Sequence, residues 1–184
     1  MEAFRPFKTF EGVVHYAFGP LTENTAVEWD FGLYCRFSDR AALDRYLSHE
    51  SFADAFQKHV KPVTQSSLSL NWVSEIPGPV STLDIKAVHV KLYRMKDGLE
   101  ALSKMTVLGV LPVITNNLPK TIEVGCGKNF EPESEQLYHW AFVMMAANLR
   151  DLKRSTQSDD VIRWKEELLT FSQTSLVADF TCNF

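Results

Sequence analysis

From Trp29 to Phe37 apolar and polar positions alternate: Trp29, Phe31, Leu33, Cys35 and Phe37 against Asp30, Gly32, Tyr34 and Arg36. A period of two predicts a strand with one face buried. Ser38-Asp39 then offers an N-cap, and the spacing turns helical. Ala42 and Tyr46, like Leu43 and Leu47, lie four apart on a short helix, and Phe52, Phe56 and Val60 mark a second that Pro62 ends. Leu68, Leu70 and Trp72 alternate with Ser67, Ser69 and Asn71, which predicts a return to a strand. Ahead of this unit, Val13 to Phe18 reads as a strand, Gly19-Pro20 as its turn and Leu21 to Val27 as a polar loop. Phe4, Phe7 and Phe10 recur every three residues, like the last turns of an apolar helical stripe that Gly12 closes.

Pro77-Gly78-Pro79 is the strongest linker signal in the chain. Beyond it, Val88, Val90 and Leu92 alternate with His89, Lys91 and Tyr93, another half-buried strand. Lys96 to Leu111 is a helix candidate stopped by Pro112, and Thr121 to Cys126 a strand leading into a polar loop from Asn129 to Glu135. Leu137 to Met145 is apolar on both faces, as a central strand would be. Leu149 to Arg154 forms a short helix. Asp159-Asp160 opens a longer one whose stripe is Val161, Trp164, Lys165 and Leu168, with the Lys165 stem lying along the surface. Leu176, Ala178 and Phe180 make the last strand.

The two sides of the linker match in the order and spacing of their elements. Gly19 falls on Gly127, each expected just after a strand; Trp29 to Phe37 falls near Tyr138 to Ala146, Leu43 near Leu152, Phe52 to Val60 near Val161 to Leu169, and Ser67-Leu68 on Ser175-Leu176. The second side reads β-α-β-β-α-β, the ferredoxin-like arrangement. The first is expected to lack the opening strand and most of the first helix. The predicted class is therefore α+β, with tandem ferredoxin-like repeats over residues 1–75 and 85–184 and a linker over 76–84. In each half the apolar strand faces are expected to meet that half's own helices. The opposite faces would carry His15, Asp30, Tyr34, Arg36, Ser69, Asn71, His89, Lys91 and Tyr93.

Composition changes this picture little. A net charge of -4 over 184 residues argues against a nucleic-acid footprint, which needs a basic face. No apolar run approaches the ~20 residues of a membrane span. Cys35, Cys126 and Cys182 form no CxxC pair, which suits a reducing compartment. The cytoplasm is the expected location, or the plastid if a targeting segment precedes Met1.

A resemblance sharpens the fold. The run WDFGLYCRFSDRAALDRYLSHESFADAFQKHVKPV, with Tyr46-Leu47-Ser48-His49 as a Y-x-x-H, resembles the stress-responsive A/B barrel (Dabb) domain family. Ala87-Val88-His89-Val90-Lys91-Leu92 resembles that family's opening strand, and the linker before a second unit resembles its tandem plant members. The resemblance implies a dimeric-type α/β barrel closed within one chain, and a role in stress response or defence. With an opening strand absent, the barrel would have seven strands and a gap that stays open or is covered by another molecule.

The chemistry is sparse. Tyr46 and His49 lie three apart on one helix face, and with His89 they are the candidates to line a ligand cavity; the competing reading makes His49 a cap and Tyr46 a core residue. The family includes plant polyketide cyclases, whose catalytic pair the resemblance places at Tyr46 and at Phe52, where a His would be needed; no catalytic residue is assigned. His15, His59, His89 and His139 are scattered singly, so neither a metal nor a cofactor is indicated. Gly125-Cys126-Gly127 lacks the third glycine of a dinucleotide loop. The expected function is a non-enzymatic stress-response protein acting by self-association through an open sheet edge or by binding a small hydrophobic or aromatic ligand. The alternative is a polyketide-cyclase-like enzyme or a carrier for small aromatic ligands.

Overall fold

The computed structural model describes residues 2–24, 29–76, 83–99, 105, 109, 111–112, 114–130 and 138–182. A 3-10 helix, Glu2–Thr9, precedes strands β1 (Val13–Asn24) and β2 (Phe31–Phe37). Helices α1 (Arg40–Ser48) and α2 (Glu50–Ala55) follow, the latter running into a π turn at Phe56–Val60. Beyond residue 83 come β3 (Ala87–Met95), helical residues at 105, 109, 111–112 and 114–117, β4 (Ile122–Lys128) and β5 (Trp140–Ala146). Then come α3 (Leu149–Thr156), α4 (Asp159–Phe171) and β6 (Ser172–Thr181).

The strands form one antiparallel sheet in the order β2-β1-β6-β3-β5-β4. Residues 87–181 follow the β-α-β-β-α-β connectivity of ferredoxin-like units. The sheet curls so that its two ends approach. The Tyr34 ring of β2 lies 6.2 Å from that of Trp72, and Arg36 of β2 pairs with Glu123 of β4. The concave face buries Ala17, Tyr34, Val88, Val143, Met145 and Phe180 in one cluster and Leu92, Ala141, Leu176 and Ala178 in another. On the convex face, Phe4, Phe7, Tyr16 and Tyr46 pack beneath the first helices, and Tyr93, Trp140, Phe142, Met144 and Trp164 beneath α3 and α4.

Several expectations are corrected. Gly19-Pro20 is no turn: β1 continues through both to Asn24, because only there does it leave β2 and reach β6, pairing Leu21 with Phe180. A Cβ on Gly19 would collide with the Thr181 carbonyl oxygen, so the crossing needs glycine. Gly127 likewise lies inside β4, where a Cβ would collide with the Val73 carbonyl oxygen. The helix expected to stop at Pro112 continues to residue 117, with Leu111 and Ile114 both buried against the convex core. Residues 68–72 form no ladder strand. They are extended, joined to the end of β4 by one bridge between Trp72 and Asn129 and by the Phe130 amide on the Asn71 carbonyl, 3.0 Å. Finally, the faces of β3 are reversed. Val88, Val90 and Leu92 point into the concave face, and His89, Lys91 and Tyr93 lie on the helix side, because the curled sheet needs apolar residues inside as well as outside. Residues 96–99, expected to begin the 96–111 helix, form a turn instead, with Gly98 at φ 78° and the Leu99 amide on the Lys96 carbonyl. The Pro77-Gly78-Pro79 linker signal, most of residues 100–110 and most of the 129–135 loop fall outside the described residues.

Candidate functional site

The three cavity candidates occupy different places. Tyr46, on α1, is 2% exposed and sits among aromatic rings: Phe52 at 4.6 Å, Phe37 at 5.0 Å, Phe10 at 5.4 Å and Phe7 at 5.9 Å between centroids. Burial, with Cys35 and Tyr16 beside it, raises its proton affinity far above that of a free phenol, so the hydroxyl stays protonated and supplies no phenolate at neutral pH. His49 is exposed and caps α2: its Nδ1 accepts the Ser51 amide at 3.2 Å. Phe10 meets the His49 ring edge-on at 5.2 Å. The first helix layer is therefore filled by side chains rather than shaped around a ligand. Burial also pushes the Cys35 and Cys126 thiols up to about 12, which removes them as nucleophiles at neutral pH.

His89 belongs to the second helix layer. Antiparallel register places it directly opposite Asp179 of β6, and the His89 Nδ1–H donates to the carboxylate at 2.5 Å. That bond assigns the proton to Nδ1 and leaves Nε2 a lone-pair acceptor, buried without a protein partner. Burial lowers the imidazole's proton affinity, against the opposing pull of Asp179, so the ring stays neutral near pH 7. Two residues along β3, Lys91 is 8% exposed with its ammonium 5.2 Å above the Tyr93 ring. The Tyr93 hydroxyl is also buried without a partner.

Helices α3 and α4 close this layer. Asn148 caps α3 by accepting the Asp151 amide at 2.9 Å. On α4, Val161, Trp164 and Leu168 recur at three and four residues and are buried on the sheet, with Trp164 4.2 Å from Phe142 between ring centroids. Lys165 follows Trp164, and its ammonium donates to the Thr156 carbonyl at 3.3 Å. Burial first, and then the neighbouring Lys91, lower the Lys165 amine to about 8.

A cleft of about 210 Å³ opens between the 114–117 turn and these two helices, lined by Ile114, Leu118, Val161, Ser155, Ser158 and Arg154 among others. Asn117 and Asp160 stand at it, the amide donating to the carboxylate at 2.9 Å. Ser155 is 3% exposed and its hydroxyl has no protein partner, while Ser158 donates to the Ser155 carbonyl at 2.9 Å. By the element match, Ser155 and Ser158 hold the places of Tyr46 and His49. The structure therefore opens a cleft beside Ser155 and packs Tyr46 among aromatic rings.

On the concave face, Glu123 accepts from Arg36 and pairs with His15, 3.1 Å from its Nε2. This polar group joins the β1–β2 hairpin to β4. Among the described residues no group of three His, Cys, Asp or Glu is placed to hold a metal ion, and no helix is long and apolar enough to cross a membrane.

No family model matches the chain. A curated relative, a stress-response A/B barrel domain-containing protein of Arabidopsis thaliana, is 20% identical over 171 residues, 91% of this chain. The chain is a relative of the stress-response A/B barrel proteins. It spans 65% of the length of that Arabidopsis relative. Crystal structures provisionally named monooxygenases, from Lactobacillus acidophilus NCFM and Fusobacterium nucleatum subsp. nucleatum, match with TM-scores of 0.63 and 0.64. They are 15% and 8% identical, and the matches cover 97% and 98% of this chain and 82% and 80% of theirs. At such identities the likeness is one of fold.

Asp179, Lys165, Ser155 and Glu123 were not singled out as site residues from the sequence. Asp179 and Glu123 carry only the polar phase of a strand alternation. Their partners, His89 and His15, are 90 and 108 residues away, which no local pattern reports.

Proposed function

We propose that this A/B barrel chain consists of two fused units, residues 1–75 and 85–184 joined by the 76–84 linker, that share one barrel. In this reading it acts by binding a small, largely apolar ligand in the helix layer of the second unit. Gly19 and Gly127 support the two-unit reading. They are equivalent in the element match, and each is the point where a strand of one half passes against the last extended segment of the other. Asp39 and Asn148 repeat the relation, each capping the helix that follows β2 or β5 through the amide three residues on.

The observation that carries the binding function is the Ser155 cleft, a recess of about 210 Å³ in which Ile114, Leu118 and Val161 stand beside Asn117, Ser158 and Asp160. The cyclase-like alternative draws no support from Tyr46, whose ring is enclosed and whose partner position is Phe52. Titration with 1-naphthamide, followed by calorimetry and amide chemical shifts, tests the reading. Saturable binding with shifts centred on 155–161 is expected, abolished by Leu118→Trp and unchanged by Tyr46→Phe. Binding indifferent to Leu118→Trp, or lost with Tyr46→Phe, would move the site elsewhere.

Self-association is the second mode, and the bare edge of β2 favours it. β2 ends the sheet, carries neither Pro nor Lys, and leaves Phe31 53% and Leu33 45% exposed. An edge without such protection pairs readily.

A further inference from the structure

The cleft beside Ser155 carries one charge of each sign. Arg154 of α3 and Asp160 of α4 both line it. They do not pair with each other, and among the described residues Arg154 has no carboxylate within ion-pair distance. Asp160 accepts from the Asn117 amide at 2.9 Å through Oδ2, which leaves Oδ1 without a partner among the described residues.

The rest of the lining is apolar or a hydroxyl. Ile114, Leu118 and Val161 supply the apolar wall. Ser155, which follows Arg154, is 3% exposed, and its hydroxyl has no protein partner, although buried hydroxyls are nearly always hydrogen-bonded. Ser158 is already committed, donating to the Ser155 carbonyl at 2.9 Å. A purely anionic ligand would set its charge beside Asp160, and a purely cationic one beside Arg154. A ligand with both charges suits both residues, since a guanidinium binds a carboxylate through two parallel hydrogen bonds and a carboxylate accepts from an ammonium. At about 210 Å³ the cleft is smaller than the ~300 Å³ at which sites for drug-sized molecules begin, so that ligand is small.

We propose that the cleft takes a small zwitterion, an α-amino acid with an apolar side chain. Its carboxylate lies on the Arg154 guanidinium and the Ser155 hydroxyl, its ammonium on Oδ1 of Asp160, and its side chain against Ile114, Leu118 and Val161. This rests on the cleft as the binding site and adds the charges of what it takes.

The test sets L-leucine beside two analogues with the same side chain. One is 4-methylpentanoate, which lacks the ammonium, and the other is 3-methylbutylamine, which lacks the carboxylate. Affinities are measured by calorimetry on the intact chain, with 1-naphthamide as the uncharged probe of the cleft. Leucine is expected to bind about tenfold more tightly than either analogue, the size of one lost hydrogen bond to a charged group. Arg154→Gln should bring leucine level with 3-methylbutylamine, and Asp160→Asn should bring it level with 4-methylpentanoate. Arg154 is exposed, and Asp160→Asn keeps an acceptor for Asn117, so both variants should fold; the wild-type comparison needs neither. Leucine no tighter than one or other analogue, with 1-naphthamide still bound, overturns the amino acid while leaving the cleft as a binding site. Failure of all four to bind overturns the cleft and the amino acid together. A preference for leucine that survives both substitutions also overturns the proposal.

Discussion

Lys165 shows how one side chain can hold two environments at once. Its stem follows Trp164 down onto the sheet, while its ammonium donates to the Thr156 carbonyl in a half-buried corner. The amine titrates near 8 in the folded chain and in the ordinary lysine range, at 10.5, once unfolded. Between those values the unfolded chain holds more protons, so this group's contribution to stability rises with pH and is lost as pH falls through 8. Lys165→Met removes the dependence. Urea unfolding of both proteins at pH 7.5, 9 and 10 should show the wild type gaining about 2 kcal/mol on the variant across that range. A difference that stays flat with pH would mean the ammonium is solvated. His89, Lys91 and Asp179 face the same corner and remain in both proteins, so the subtraction isolates Lys165.

At the scale of elements, the decisive contacts are close crossings of backbone. β1 leaves β2 for β6 at Gly19, and the 71–75 segment runs beside β4 at Gly127, each with a carbonyl oxygen where a side chain would begin. A methyl group there must push a strand aside, so Gly127→Ala is expected to cost about 1–3 kcal/mol in urea unfolding. Gly109, exposed and helical with nothing within 4 Å of an added Cβ, supplies the contrast. Gly109→Ala should stabilise by up to about 1 kcal/mol through helix propensity. Equal effects at both glycines would show that the crossing is slack. The helices obey simpler rules. Asn148 caps α3, and the buried stripe of Val161, Trp164 and Leu168 fixes which side of α4 meets the sheet.

At the scale of the molecule, the curled sheet has two unlike ends. One, β4, is extended by residues 71–75 through the Trp72 bridge and the Glu75 amide on the Cys126 carbonyl at 2.7 Å. The other, β2, has no further strand beside it among the described residues, and Phe31 and Leu33 are exposed there. The Arg36–Glu123–His15 group draws the two ends toward each other inside the curl without pairing their backbones. Self-association through β2 should give a solution mass by light scattering of twice the 21.0 kDa chain. Leu33→Lys, which sets a charge beside the free edge, should return it to a monomer. A wild type that is already monomeric at high concentration would rule this mode out.

The sequence by itself was enough for most of the elements and their order, though not for the length of β1 or the absence of a ladder strand at 68–72. Alternation at Trp29 to Phe37 and at Val88 to Leu92, the cap at Asp39 and the stripe of α4 are all local signals, set by periods of two and 3.6. Only the tertiary structure decided which face of β3 meets the helices, because an apolar face fits equally well against helices or inside a curled sheet. It also decided that the Tyr46 position is packed in one half and opens as a cleft at Ser155 in the other, which depends on whether Phe7, Phe10 and Phe52 fill the space. The joining of His89 to Asp179 came from strand register across a long separation, which is set by the packing of the whole chain.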